Sequence, residues 1–266
     1  MTCRENEKAA IRELTLNEKI PIKIIKFLQS KFENLILAWS GGSDSTLLLL
    51  LLAKNDLLDS LTKIVFNNTR MNSAKTINYI DSIVSKLNFK DKFVITKPAV
   101  SRKYLEKIIL EDYQKNLGKK HDKSMYRCCL IAKERPVIDY FKETGFENEQ
   151  TVVLRGIRAN ESSQRFMSTI KLIESGQFYF NHPRFSRKIF VSNPLMLMPN
   201  KSKKVLLGKL CAKYDLELPL KSGCSLCPIY YKYTTGEEQG SDRYQKAQLF
   251  FGQKSLKKFL GVESET

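Results

Sequence analysis

Residues 34–52, NLILAWSGGSDSTLLLLLL, constrain the fold more than any other stretch of the chain. Leu35, Ile36, Leu37, Ala38 and Trp39 are apolar without alternation, the pattern of a strand covered on both faces in a parallel sheet. Ser40, Gly41, Gly42, Ser43, Asp44 and Ser45 follow, and from Thr46 the sequence reads as a buried helix. A strand, a loop of small residues and a helix N-terminus together make an anion cradle. The glycines let the backbone approach without a clashing Cβ, and the N–H groups of the first helical turn and the helix dipole favour negative charge. The hydroxyls of Ser40, Ser43, Ser45 and Thr46 add donors. Asp44 repels a bare phosphate, so its place makes sense if it orients a donor or meets a Mg²⁺ carried on phosphates. An ordinary Gly-Gly turn with a Ser/Asp cap explains a turn, but not all six residues between this strand and this helix.

The rest of the chain repeats the strand–helix alternation. Residues 4–32 read as one or two amphipathic helices broken at Pro21, with Ile20, Ile22, Ile24, Ile25, Phe27 and Leu28 as the apolar face. Strands are expected at 63–67, 93–96 and 151–154, and helices at 73–87, 103–117 and 129–144. This order predicts an α/β fold with a doubly wound parallel sheet, whose ligands lie beyond the strand C-termini. Residues 118–127 and 155–165 read as polar loops, 178–180 and 189–191 as short strands, 201–214 as a helix, 222–228 as a cysteine-bearing turn and 241–260 as a basic helix. With no repeat and no long linker, the expected organisation is N-terminal helices over 1–33, a core over 34–175 and a C-terminal cysteine-bearing extension over 176–266.

A formal net charge of +17 points to a polyanionic partner, although a lysine-rich solvated surface explains the same excess. The charged N-terminus MTCRENEKAAIRELTLNEK does not read as a signal peptide, and no apolar run is long enough to span a membrane. A cytoplasmic, reducing location is therefore expected, with no membrane partner, and there metal binding by cysteine is expected over disulfides. Cys128 and Cys129 are adjacent, and Cys224 and Cys227 form a Cys-x-x-Cys. Four such thiolates suit either a structural zinc or an iron–sulfur cluster. Cys211 shares a helix with Leu206, Leu207 and Leu210 and reads as core; Cys3 is left over.

The six-residue loop lacks the Lys-Ser/Thr of a Walker loop. It resembles the SGGxDS pyrophosphate loop of the adenine nucleotide alpha-hydrolase families, which share a HUP-like fold. RCCLIAKERP at 127–136, GIRANESSQR at 156–165 and CSLCP at 224–228 resemble, in that order, motifs of the phosphoadenosine phosphosulfate reductase superfamily. With the loop, these matches run from about residue 36 to 228. The resemblance implies ATP with Mg²⁺ bound by Ser40, Gly41, Gly42, Ser43, Asp44, Ser45, Gly156, Arg158 and Arg165. Asn68 and Thr69, at the end of the second strand, would lie near the ribose or adenine. Asp44, Arg158 and Arg165 would carry the chemical step. Cys128, Cys129, Cys224 and Cys227 would hold a [4Fe–4S] cluster beside the nucleotide.

One departure matters. The sulfate-attacking reductases end in a nucleophilic cysteine on a C-terminal tail, whereas SLKKFLGVESET here has none. The pattern is closer to the ATP-dependent sulfurtransferases of DNA phosphorothioation, which take sulfur from a cysteine desulfurase. That branch implies DNA as the partner, or tRNA as a weaker alternative, and leaves homo-oligomerisation open. The basic residues expected to meet a nucleic-acid backbone are Lys119, Lys120 and Lys123, then Arg184, Arg187 and Lys188, then Lys201, Lys203 and Lys204. His121 and His182 have no partner pattern and read as loop residues.

Overall fold

The computed structural model describes residues 3–115, 126–161, 163–181, 188–219, 224, 226–227, 245 and 248–251, with backbone only at 3–16, 161 and 163–164. Two compact units emerge. The first comprises residues 1–67, 74–96 and 137–222, and the second 68–73, 97–136 and 223–266. Among the described residues no helix is long and apolar enough to cross a membrane.

The first unit holds a six-stranded sheet: β1 (Asn34–Ala38), β2 (Lys63–Asn67), β3 (Phe93–Thr96), β4 (Thr151–Arg155), β5 (Phe180–Asn181) and β6 (Phe190–Ser192). Their order is β3-β2-β1-β4-β6-β5, and every pairing is parallel except β5 with β6. The doubly wound expectation is met: the chain leaves β1 toward β2 and β3 on one side and later fills β4 and β6 on the other. The C-terminal ends of β1 and β4 lie side by side in register, Ala38 opposite Arg155, which makes this the switch point where such sheets bind ligands.

Helix α1 (Cys3–Lys31) runs through Pro21 without a break. Proline removes one helical hydrogen bond and crowds the preceding turn. Burial of Ile22, Ile24, Ile25 and Leu28 in the turns that follow outweighs that local cost. Helix α2 (Ser43–Lys54) is the centre of the core, with every side chain from Ser45 to Leu52 buried. Leu47 through Leu52 are fully inaccessible, so this helix has no solvent face and its end cannot slide without opening the core. Helix α3 (Ala74–Lys86) packs Ile80 and Ile83 into the same cluster as Trp39 and α2.

The second unit contains α4 (Arg102–Lys115), the single turn α5 (Arg127–Cys129) and a five-residue π-helical segment, Leu130–Glu134. Helix α6 (Arg135–Glu143) continues from that segment and carries the chain back to the first unit. The sequence suggested one uninterrupted helix here; the π segment is the difference. Its own apolar cluster includes Met71, Leu105, Ile108, Ile109, Tyr126 and Phe251. Later in the chain, α7 (Ser163–Glu174) and α8 (Asn200–Lys213) belong to the first unit.

Candidate nucleotide site and thiol cluster

The loop between β1 and α2 is braced from within. The Ser45 hydroxyl donates to the Gly42 carbonyl (3.2 Å), accepts from the Ser40 amide (3.2 Å) and lies 3.0 Å from the Ser40 hydroxyl. The Gly42 amide in turn donates to Ser40 Oγ at 3.3 Å. Below the loop, Trp39 Nε1 donates to Thr46 Oγ1 (3.1 Å), tying the last residue before the loop to the first turn after it. Gly41 sits at φ +72°, in the left-handed region that favours glycine. Gly42 is the N-cap of α2 and no side chain caps that end. The first-turn amides therefore have no side-chain cap, the arrangement expected of an anion seat.

Gly156 has a steric role. A Cβ there would stand 2.4 Å from the Ser45 amide nitrogen and 2.6 Å from the Asp44 carbonyl carbon. The strand end of β4 thus lies directly against the first turn of α2, and only a residue without a side chain permits it.

The charged groups gather on Asp44. Arg158, 4% exposed, donates from Nε to Asp44 Oδ1 at 2.5 Å. Its Nη1 is held by Asn160 Oδ1 (2.9 Å), Asn200 Oδ1 (2.7 Å) and the Met198 carbonyl (3.4 Å). Arg158 thereby fixes the Asp44 carboxylate and ties the loop to the start of α8. Lys203 Nζ lies 3.3 Å from Asp44 Oδ1 and donates to Ser43 Oγ at 2.9 Å. Arg165, at the start of α7, has its pKa lowered by burial and by the Arg158 charge, against an opposing pull from Asp44. Arg155, the last residue of β4, donates to Asn193 Oδ1 (3.2 Å) and lies over the Phe180 ring. Burial first, and then Arg165, push its pKa down to about 10. Cations in each other's field around one carboxylate make a seat that gains from a multivalent anion.

The expected residues therefore divide. Ser40, Gly41, Gly42, Ser43, Asp44, Ser45, Gly156, Arg158 and Arg165 all belong to the first unit. Asn68 and Thr69 belong to the second, in a turn built by their own side chains. The Thr69 amide and hydroxyl donate to Asn72 Oδ1 at 2.9 and 2.7 Å, and Asn68 Oδ1 accepts from the Arg70 amide at 3.0 Å. Sequence reasoning missed Asn160, Asn200 and the inward turn of Lys203. The Asn160 and Asn200 spacings carry no motif, and Lys203 is one of three near-adjacent lysines. Lys119, Lys120, Lys123, Arg184, Arg187, His121 and His182 lie outside the described residues.

Cys128, Cys129, Cys224 and Cys227 all fall in the second unit and in the same apolar cluster. The Cys128 thiol is hydrogen-bonded to Cys129; that bond, burial, and the nearby Cys129, Asp112 and Cys224 groups raise its pKa. Asp112, 1% exposed, accepts from the Cys128 amide (2.8 Å) and from Arg127 Nε (3.0 Å), pinning the start of α5. Among the described residues no group of three or more His, Cys, Asp or Glu is drawn together closely enough to hold a metal ion. The donor chemistry nonetheless fits one: four thiols share an apolar lining, and a bound cation would favour their thiolate forms. Cys211 is buried in the other unit's core, as expected.

Phosphoadenylyl-sulfate reductase from Candida auris, in a phosphate complex, is 15% identical with a TM-score of 0.50, over 77% of this chain and 87% of that one. FMN adenylyltransferase from Candida glabrata, in complex with FAD and inorganic pyrophosphate, is 14% identical with a TM-score of 0.43, over 74% and 57%. The U34-tRNA thiolase NcsA from Methanococcus maripaludis, with its [4Fe-4S] cluster, is 16% identical with a TM-score of 0.42, over 91% and 80%. Curated proteins give no sequence match. The fold is that of the adenine nucleotide alpha-hydrolases. The sequence profile of the phosphoadenosine phosphosulfate reductase domain matches residues 34–183, more than half of the chain. That span opens at β1 and takes in the loop, the tandem cysteines and the arginine-bearing segment after β4, and the chain belongs to the phosphoadenosine phosphosulfate reductase domain family, a nucleotide-using enzyme of sulfur chemistry.

Proposed function

We propose that the protein is an ATP-dependent sulfurtransferase that adenylylates a backbone phosphate of nucleic acid, DNA in the first instance, for sulfur insertion. The observation that carries this reading is the anion seat. An uncapped helix N-terminus, a hydroxyl-lined loop and several cations surround a single carboxylate, more positive charge than one phosphate requires. The net charge of +17 supports a polyanionic acceptor.

In this reading the triphosphate lies with its β- and γ-phosphates on the first-turn amides of α2 and the hydroxyls of Ser40, Ser43 and Ser45. Arg158 holds Asp44 in place, and Asp44 is the residue that would meet a Mg²⁺. An acceptor phosphate oxygen attacks the α-phosphorus and pyrophosphate leaves, its growing charge met by the helix N-terminus and Arg165. Such transfer depends on positioning and charge neutralisation more than on a covalent nucleophile. The terminal sulfur of a cysteine desulfurase persulfide then displaces AMP, and a free thiol reduces the remaining S–S bond. Cys128, Cys129, Cys224 and Cys227 would hold a [4Fe–4S] cluster, which when bound supplies soft iron sites suited to sulfur.

The test has two arms. Purified protein with α-³²P-labelled ATP and DNA should release pyrophosphate and leave the label on DNA, to be freed as AMP once a persulfide donor is added; no turnover refutes an enzyme of this kind. Mass spectrometry of nuclease-digested DNA and tRNA, from cells with and without the gene, should show gene-dependent sulfur on DNA phosphate. Sulfur on a tRNA base instead, or turnover of adenylyl sulfate without nucleic acid, refutes the acceptor.

A further inference from the structure

Helix α8 begins with Lys201, Lys203 and Lys204, but only Lys203 turns inward. Its side chain is 14% exposed, with Nζ on Ser43 Oγ (2.9 Å) and Asp44 Oδ1 (3.3 Å). The partner positions are 160 residues apart, and Lys203 lies beyond residues 34–183, which the family profile covers. We propose that Lys203 is the phosphate-binding cation of this loop, supplied from α8 and directed at a terminal phosphate oxygen of a nucleoside triphosphate. The inference rests on the nucleotide reading above and adds a residue to it.

The loop sequence SGGSDS carries an acid and no base. Asp44 already has a close cationic partner in Arg158. A second cation on the same carboxylate leaves a local excess, and the partial burial of Lys203 makes that excess costly until an anion meets it. Lysine has three N–H donors; here one donates to Ser43, while the ammonium pairs with Asp44 at 3.3 Å. The ammonium can keep Ser43, release Asp44 and take a phosphate oxygen. Once Ser43 Oγ accepts from Lys203, its own hydrogen is left to donate toward the same ligand.

The base of Lys203 is also fixed before any ligand arrives. Asn200 accepts from Arg158 (2.7 Å), and Ser202, 2% exposed, accepts from Asn17 Nδ2 (2.9 Å). The Ala159 amide donates to the Met196 carbonyl (2.9 Å), joining the segment after β4 to the approach to α8. A cation held this way loses little conformational freedom on binding, unlike a surface lysine. Lys201 and Lys204, on the same helix turn but exposed, are the natural controls.

Isothermal titration of the full chain with pyrophosphate, ATP and AMP tests this, with circular dichroism melts in parallel. Lys203→Ala should weaken pyrophosphate and ATP roughly 10- to 100-fold, the value of one hydrogen bond to a charged group. AMP, which lacks the terminal phosphates, should bind as before, and Lys203→Arg should recover part of the loss. Lys201→Ala and Lys204→Ala should bind all three ligands as the parent does. Equal loss of AMP and pyrophosphate in Lys203→Ala would mark a structural role and overturn the proposal, as would unchanged pyrophosphate affinity. A parent protein that binds neither pyrophosphate nor ATP overturns the nucleotide reading, and this inference with it.

Discussion

Replacing Gly156 with alanine should damage the nucleotide seat from outside it. The new methyl would meet the Ser45 amide nitrogen at 2.4 Å, the Asp44 carbonyl carbon at 2.6 Å and Ser45 Cα at 2.6 Å, where ordinary contact begins at 3.4 Å. All three atoms are backbone, so no side chain can rotate away. Relief requires β4 and α2 to separate by roughly 1 Å, against a helix whose leucines are packed without free volume. Overpacking of this kind costs about 1–3 kcal/mol, and the rigid surroundings put this case near the top. At ~2–4 °C per kcal/mol for a unit of this size, the melting temperature should fall by about 5–10 °C. The first-turn amides move with α2, and a misplacement of ~1 Å in a positioning element costs about 100-fold in rate. Pyrophosphate release at saturating ATP, measured with a coupled phosphatase, should show that loss at a temperature where the variant is fully folded. Gly145→Ala is the control for backbone strain: its φ is +76°, but the added methyl meets nothing within 4 Å. It should lose ~1 kcal/mol of stability and no pyrophosphate release. A Gly156→Ala protein that melts and turns over like the parent would refute the close-approach argument; one that melts lower but turns over normally would show that the helix end is not the seat.

Trp39 is the chain's single tryptophan and is bonded across the loop to Thr46, so its fluorescence should change on pyrophosphate binding. Thr46→Val, which strands the indole N–H in a buried site, should cost ~1–3 kcal/mol of stability and shift that signal; an unchanged melt refutes the brace. Protein purified without oxygen should carry about four irons per chain. Cys128→Ser, Cys129→Ser, Cys224→Ser or Cys227→Ser should each lower the iron count and Cys211→Ser should not; stoichiometric zinc without iron would refute the cluster. Asp112→Asn keeps the shape but weakens the hold on Arg127 and the Cys128 amide. It should lower both the melting temperature and anaerobic iron retention, and a variant that retains iron like the parent refutes a positioning role for Asp112.

The sheet was legible because its strands are apolar without alternation and its helices carry period-3.6 faces, signals that depend on nearest neighbours alone. The loop was legible for the same reason: six contiguous residues specify one turn and one helix start. What the sequence hid has longer range. Pro21 looks like a helix break locally, and only the burial of Ile22, Ile24, Ile25 and Leu28 against the rest of the first unit overrides it. The π segment after Cys129 follows from no propensity in LIAKE. Arg158 was visible as a motif arginine, but not that Asn160, Asn200 and Asp44 would share its guanidinium. Lys203 looked like a surface cation because its neighbours Lys201 and Lys204 are surface cations.

The cations around Asp44 have one origin, and it bears on how the loop works. On the proposed reading, the SGGSDS loop contributes a carboxylate to a phosphate site. A phosphate charge ~6 Å from that carboxylate is opposed by about 3 kcal/mol at an effective dielectric of ~20, against the ~0.3–1 kcal/mol that a helix terminus usually returns. The loop alone is therefore a poor anion site, despite its shape. The sign changes only when cations are brought to it, and in this chain they arrive from the segment after β4, from α7 and from α8, through Arg158, Arg165 and Lys203. None of these is near the loop in sequence; all are carried there because β4 lies beside β1 and α8 packs on α2. The motif locates the seat, while the fold decides whether the seat holds an anion. Asp44 is then less an obstacle than a holder. On the proposed nucleotide reading, it occupies in the absence of ligand the cations that a triphosphate would claim, and phosphate charge that enters would free the carboxylate to meet a metal ion.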